Sequence, residues 1–239
     1  MFGDKNSYVD WHLVPDSRPV IVLPEVKSVT VDIPGSDGIL DLSESLTKYP
    51  VYSMREGTLK FHVLNGYEPW QVIYDKITKH LHGKSRMMIL EDDPNYYYYG
   101  KYSVEWISNN DGTWSDVNIK YVLDPYKRYI KTSVSENPSL YKDISLNDTT
   151  VTKNLGGTGT LGSMPVVPVF TTSNIGTSGI TISLVNQELG ITNLSHTIGS
   201  NGSHKFYDMI LSEITEPNQC RLTLSGKGKI DITFRRGEL

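Results

Sequence analysis

The chain is organised by alternation. Leu59, Phe61 and Val63 occupy every second position against Lys60 and His62, and Val117, Ile119 and Tyr121 repeat the pattern. Period-2 spacing puts one set of side chains on a buried face, so strands are expected over Tyr52 to Asn65 and Trp114 to Leu123. A looser alternation sets Val29, Val31 and Ile33 against Thr30 and Asp32. Arg86 to Leu90 reads as a short strand. Tyr96 to Ser108 reads as a long aromatic one, with Tyr96, Tyr98, Tyr102, Val104 and Trp106 on one side. One stretch has helical spacing: Trp70, Ile73, Ile77 and Leu81, with Tyr74 beside them. Pro69 suits its first turn and Gly83 its C-terminal cap, predicting a helix that lays one apolar stripe on a sheet.

Turn signals punctuate these elements. Pro34-Gly35-Ser36-Asp37-Gly38 is a strong turn, because Pro fixes φ and Gly accepts positive φ. The segment Ile39 to Tyr49 is mostly polar and not committed to a core. Asp92-Asp93-Pro94-Asn95 turns the chain, Asn109-Asn110-Asp111-Gly112 reads as a hairpin turn, and Asp124-Pro125 stops the strand before it. A domain boundary is expected near Lys131 to Asn137, giving domains of residues 1–134 and 135–239.

The second part reads as all-β. Val166 to Phe170, broken by Pro165 and Pro168, suits an edge strand; Ile180, Ile182 and Leu184 alternate; His204 to Ile214 is strand-like. Leu222 and Leu224, then Ile230, Ile232 and Phe234, flank Gly226-Lys227-Gly228, a tight-hairpin signal. The expected fold is mainly β: an α+β N-terminal domain with one helix on a β-sheet or split barrel, then a β-sandwich.

Composition narrows the function. The 239 residues are 38% hydrophobic and 21% charged, with a net charge of -4. That balance argues against a basic nucleic-acid surface. No apolar run approaches the roughly 18 residues of a membrane span, so no membrane anchor is expected, and Met1-Phe2-Gly3-Asp4-Lys5 lacks a secretory apolar region. The single cysteine, Cys220, reads as a buried small hydrophobe.

Candidate chemistry is sparse. Gly157 to Gly162 matches G-x-G-x-x-G, but Ser163-Met164-Pro165 cannot open the helix a dinucleotide site needs, so a loop is expected. His80-Leu81-His82 places two imidazoles on nearly opposite sides of a helix end, which suits favourable contact of exposed His with that terminus better than a metal. Glu91-Asp92-Asp93 lacks a calcium-loop pattern and reads as a turn with solvated carboxylates. The matches to the glycosylation sequon at Asn147, Asn193 and Asn201 carry little weight. No acid–base pair or nucleophile constellation is apparent, so no catalytic residue, cofactor or metal is assigned. The run Tyr96 to Tyr99 presents rings to both strand faces; one face can fill a core and the other needs a cover, from the chain's own helix or from a partner.

Taken in order, these elements resemble the distal tail protein family of long, non-contractile-tailed bacteriophages. The resemblance is carried by Val31-Asp32-Ile33-Pro34-Gly35-Ser36-Asp37-Gly38 followed by Leu40-Asp41-Leu42, by the strand Leu59 to Val63, and by the helix ending Leu81-His82-Gly83-Lys84. It continues through Asp93-Pro94 and Tyr98-Tyr99-Gly100, the hairpin, and Asp124-Pro125-Tyr126-Lys127. These span about the first 130 residues; Leu224-Ser225-Gly226-Lys227-Gly228 and the closing strand are consistent with it.

The resemblance implies a structural virion protein, not an enzyme. Its N-terminal domain would join a homo-hexameric ring, and a galectin-like β-sandwich would project outward. The ring would connect the tail tube protein to a tail-associated lysin or fibre protein and to receptor-binding components. DNA would pass through without specific binding, and assembly would occur in the bacterial host cytoplasm. The uncommitted segment Val31 to Leu46 is then the candidate inter-subunit contact: Val31, Ile33, Pro34, Gly35, Asp37, Gly38, Leu40, Asp41 and Leu42. The alternative is a carbohydrate-binding module. All four Trp, however, lie in the first half, leaving Phe170, Phe206, Tyr207 and Phe234 after Tyr141, most of them expected in the core.

Overall fold

The computed structural model describes residues 1–35, 37–45, 47–64, 68–108, 115–131, 140–155, 162–187, 189–212 and 219–239. In chain order these form β1 (Leu13–Pro15), β2 (Thr30–Asp32), β3 (Ile39–Asp41), β4 (Arg55–Val63), helix α1 (Trp70–Leu81), β5 (Ser85–Met88), β6 (Tyr96–Ser108), β7 (Ser115–Leu123) and β8 (Lys127–Tyr129). There follow β9 (Leu140–Asn154), β10 (Val169–Ser173), β11 (Ile180–Asn186), β12 (Ile191–Ile198), β13 (Gly202–Lys205), β14 (Cys220–Thr233) and β15 (Gly237–Glu238). The fold is mainly β with one helix among the described residues, as the alternation predicts. Two compact units divide it: Met1–Lys27 with Val51–Lys127 and Leu239, and Ser28–Pro50 with Arg128–Glu238.

The first unit is an antiparallel sheet in the order β1-β4-β7-β6-β5. Register brings the alternating residues together: Leu59 pairs with Ile119, which pairs in turn with Val104. Ile73, Ile77 and Leu81 of α1 are fully buried against this face, with Phe2, Trp11 and Leu13. Pro69 sits at the N-cap, one position before the helix starts. Gly83, at φ +72, ends it: its N–H reaches the Tyr102 carbonyl at 2.8 Å, carrying the chain onto β6. In β6, Tyr98, Tyr102 and Val104 enter the core. On the other face Tyr97 is also buried and Tyr99 is exposed. The expected turn at Asn109 to Gly112 lies outside the described residues, yet Ser108 pairs with Ser115 across its base.

The second unit centres on β14, and two expectations are corrected there. Gly226-Lys227-Gly228 is no hairpin turn; it is the middle of one continuous strand. Cys220, Leu222 and Leu224 keep the same inward phase as Ile230 and Ile232, which a turn would have broken. The glycines serve a bend. Before it β14 pairs with β11, after it with β10, and β9 follows its other edge throughout. Gly226 has φ +122, and a Cβ there would lie 2.3 Å from the Gly179 carbonyl, so only glycine lets the strand cross from one partner to the next. The register with β9 shifts at the same point, where Asp148 takes φ +54.

The second correction concerns β10. It lies between β14 and β13 and is not an edge strand. Pro165 and Pro168 precede it and remove no N–H from its ladder. Of the expected run His204 to Ile214, only His204 and Lys205 belong to a named strand among the residues described up to Ser212; residues 213 and 214 lie outside them. Cys220 is buried as expected.

The polar face of the first sheet carries a charge clamp. His62 on β4 lies between two carboxylates, with Nδ1 2.6 Å from Asp116 and Nε2 3.0 Å from Asp16. The bond to Asp116, aided by Asp16, holds its pKa above the ordinary imidazole value. A group whose pKa rises on folding stabilises the fold below its unfolded value of about 6.5 and loses that contribution as pH climbs through the folded value. The wild-type thermal midpoint should therefore exceed that of His62→Gln at about pH 5.5 and converge toward it by about pH 8.5; melts followed by circular dichroism check this. A gap that stays constant with pH would remove the clamp.

Candidate assembly surface

Every residue singled out for contact lies on one excursion, Ser28–Pro50, built on the β2–β3 hairpin. Its base is closed where Ser53 N–H meets the Glu25 carbonyl (2.8 Å), Val26 bridges Tyr52, and Lys27 N–H meets the Val51 carbonyl (2.7 Å). Val31 pairs with Leu40, Asp32 with Ile39 and Thr30 with Asp41. Leu42 N–H then bonds the Val29 carbonyl at 2.8 Å. Gly35 and Gly38, both at φ +83, turn the chain around Pro34 and Asp37. Ser36 and Leu46 lie outside the described residues. Asp41 accepts the Ser43 N–H at 2.8 Å, and Ser43 Oγ accepts the Val29 N–H at 2.8 Å, fixing the end of the ladder. The Ser43 contacts hold the Asp41 pKa below the usual carboxylate range.

Register and pleat assign the faces. Val29, Val31 and Ile33 share one face with Leu40 and Leu42, while Thr30, Asp32, Ile39 and Asp41 occupy the other. The apolar face is 57% exposed at Val29, 44% at Val31, 45% at Ile33, 45% at Leu40 and 37% at Leu42. No described residue of the excursion enters either hydrophobic cluster. A two-stranded hairpin is marginal alone in water, and burying one such side chain contributes roughly 1.5–3 kcal/mol. Val29 and Ile39 were absent from the expected contact set, although the alternation that marks Val31 and Ile33 also marks Val29. The approach to the hairpin is exposed and apolar too, at Val20, Val22, Leu23 and Val26.

Arg55 anchors that approach. Its side chain is 2% exposed; Nε donates to the Pro125 carbonyl at 2.8 Å and Nη1 to the Val22 carbonyl at 3.1 Å. Its guanidinium also lies 5.4 Å from the Tyr98 ring centroid. Nothing in the sequence marks this residue, since both partners are main-chain atoms distant along the chain.

The other candidate groups are engaged in structure. His80 Nε2 donates to the Phe2 carbonyl at 2.9 Å and its ring packs edge-on to Trp11. His82 Nδ1 accepts the Val104 N–H at 3.1 Å. His80 is therefore no exposed partner of the helix end but a bracket for the N-terminus. Asp92 pairs with Arg18 and Asp93 with Lys127, both at 2.7 Å, so two carboxylates of the acidic trio are ion-paired as well as solvated. The Lys127 ammonium also lies over the Tyr96 ring. Residues 157–161 of the glycine-rich motif lie outside the described residues, and Gly162 is described. Among the described residues no three His, Cys, Asp or Glu side chains are grouped to hold a metal, and no helix is long and apolar enough to cross a membrane.

The excursion thus leaves an apolar face outside both hydrophobic clusters. No family model and no curated protein matches it. Among solved structures it is similar to the crystal structure of SPP1 Dit (gp 19.1), described as a paradigm of the hub adsorption apparatus in phages that infect Gram-positive bacteria. The TM-score is 0.60 at 15% identity, covering 100% of this chain and 98% of that one. At that identity the similarity is one of fold, and it runs end to end: the chain has a Dit-like fold.

Arg55→Leu removes the donors of two carbonyls while keeping bulk. It should cost about 2–4 kcal/mol in urea unfolding and accelerate amide exchange over Val20 to Lys27 more than over β7. Unchanged exchange in that segment would show that Arg55 does not anchor the hairpin's root.

Proposed function

We propose that this chain is the structural hub at the tip of a long, non-contractile phage tail. Residues 1–134 form the ring-building part and residues 135–239 a peripheral galectin-like domain. Six copies close into a ring that joins the tail tube protein to a tail-associated lysin or fibre protein and to receptor-binding components, and DNA passes through without being gripped. The chain is assembled in the host cytoplasm, acts in the virion and catalyses nothing.

The observation that carries this reading is the fold similarity to a hub protein over the whole of both chains. The exposed apolar hairpin face supports it. Closed rings use heterologous contacts, one surface of each subunit meeting a different surface of the next, and a stable contact buries more than about 1,000 Å². An arm with one apolar face and no core of its own supplies such area without unfolding either neighbour.

The wild type should appear as six-fold rings by negative-stain imaging. Val31→Asp with Leu40→Asp should leave the melting transition unchanged, because both side chains are exposed, and weaken assembly at least about a hundredfold by light scattering. Rings that survive this pair would exclude the hairpin as the contact.

One observation favours carbohydrate binding as a second role. Tyr207 is 75% exposed, with Lys205 Nζ 5.1 Å from its ring centroid. Nearby, His196 stacks on Phe206 at 4.2 Å and pairs with Asp208 at 2.9 Å. An exposed ring flanked by polar groups is the chemistry that stacks on sugars. Saturable binding of host-wall glycans by the whole chain, lost in Tyr207→Ala, would support the role; its absence in the wild type would end it.

A further inference from the structure

The first unit holds an open basin of about 530 Å³ between the N-terminal segment, the last turns of α1 and the start of β5. Trp11 and His80 line it, and the cations Lys5, Lys76, Lys79, Lys84 and Arg86 surround it, Lys76 being paired with Glu68. Lys5 is neutralised by Asp10 at 3.1 Å. Lys79, Lys84 and Arg86 are different: among the described residues none has a carboxylate within ion-pair distance. The Lys84 ammonium bonds the Lys79 carbonyl at 2.5 Å, and Arg86 Nε reaches the His80 carbonyl at 3.5 Å. A helix C-terminus favours a nearby cation, and the bond from Lys84 meets that demand. Two further unpaired cations within the same basin are a surplus, in a chain whose net charge is -4.

The compensating charge is concentrated on the hairpin excursion. Ser28–Pro50 carries Asp32, Asp37, Asp41 and Glu44 against Lys48 alone. Asp32 and Asp41 project from the face opposite the apolar one, as their pairing with Ile39 and Thr30 requires. The arm thus has an apolar side and a mixed side on which Asp32 and Asp41 flank the 64% exposed Ile39, and each asks for a different surface. We propose that the Asp-bearing side of one subunit's hairpin seats on the basic basin of the next copy, with Lys79, Lys84 and Arg86 receiving Asp32, Asp41 and Glu44. This rests on the ring reading above and specifies the two unlike surfaces that a heterologous ring contact needs. A local cluster of cations around one open basin fits a short acidic protein segment better than a nucleic-acid backbone, which calls for an extended stripe of cations.

Charge reversal tests the pairing. Lys79→Glu, Lys84→Glu and Arg86→Glu in one chain should weaken assembly at least about tenfold by light scattering, because they place like charges in the contact. Adding Asp32→Lys and Glu44→Lys to that chain should restore rings; Asp41 is left alone because it caps Ser43. Circular dichroism melts of each variant check that the body remains folded. Rings unaffected by the basin reversal, or a folded double-reversed chain that does not reassemble, would overturn the pairing while leaving the ring reading intact. A wild type that stays monomeric at high concentration and with its tail partners would overturn the ring reading and the pairing together.

Discussion

A buried guanidinium sets the geometry on which the open surface depends. Arg55 lies at the start of β4, among Tyr98, Tyr121 and the main chain, with its charge desolvated and, among the described residues, no carboxylate paired with it. Burial depresses its pKa, and the nearby Tyr98 and Tyr121 phenols oppose that effect. Among the described residues one terminal nitrogen, Nη2, finds no hydrogen-bond partner. A buried cation is expensive unless its donors are used. Here two of them hold carbonyls from Val22 and Pro125, the segment leading into the hairpin and the segment leaving the first sheet. Tyr121 adds a weaker tie, its hydroxyl accepting the Val22 N–H at 3.4 Å. The chain between Val22 and Tyr52 can stay uncommitted to any core because its root is fixed by these contacts.

The same division of labour runs through both units. Leu59, Phe61, Ile73, Ile77, Val117 and Ile119 bury themselves in the first, and Phe170, Ile180, Ile182, Leu184 and Ile230 in the second. Neither core needs the excursion. Side chains that stabilise the body are thereby separated from those left for contact, so the hairpin face can be altered without threatening the fold. An apolar face held outside every core is a standing solubility cost, which the proposed ring contact would offset.

Legibility in the sequence followed periodicity. Alternation located β4, β7 and β11, and helical spacing located α1, because each of those elements buries one face and leaves the other wet. Strand β9 escaped notice for the opposite reason: in Leu140–Asn154 only Leu146 is buried among its described side chains, and Thr149, Thr150 and Thr152 face solvent on a ladder held by its partner β14. Gly226 and Gly228 carry the composition of a turn, but their backbone angles serve a bend. Local sequence cannot distinguish the two; the unbroken inward phase from Cys220 to Ile232 can. The hairpin residues were legible as uncommitted, and the resemblance supplied the reason. Arg55 and the basin were not legible, since each is assembled from residues that only the tertiary fold brings together.

Uneven charge has a consequence that net charge conceals. In the proposed ring, six copies of a chain at -4 would repel one another at separations within a Debye length, about 10 Å at 0.1 M salt. That repulsion keeps free subunits soluble and opposes random association. Close contact would replace the average by the local field, and in the proposed pairing Asp32 and Glu44 opposite Lys79 and Arg86 would attract where the whole chains repel. Apolar burial by Val29, Val31, Ile33, Leu40 and Leu42 would then supply the affinity, without direction of its own. The Asp-bearing face opposite would choose the register. A ring subunit needs both, because a contact that is merely sticky closes no ring.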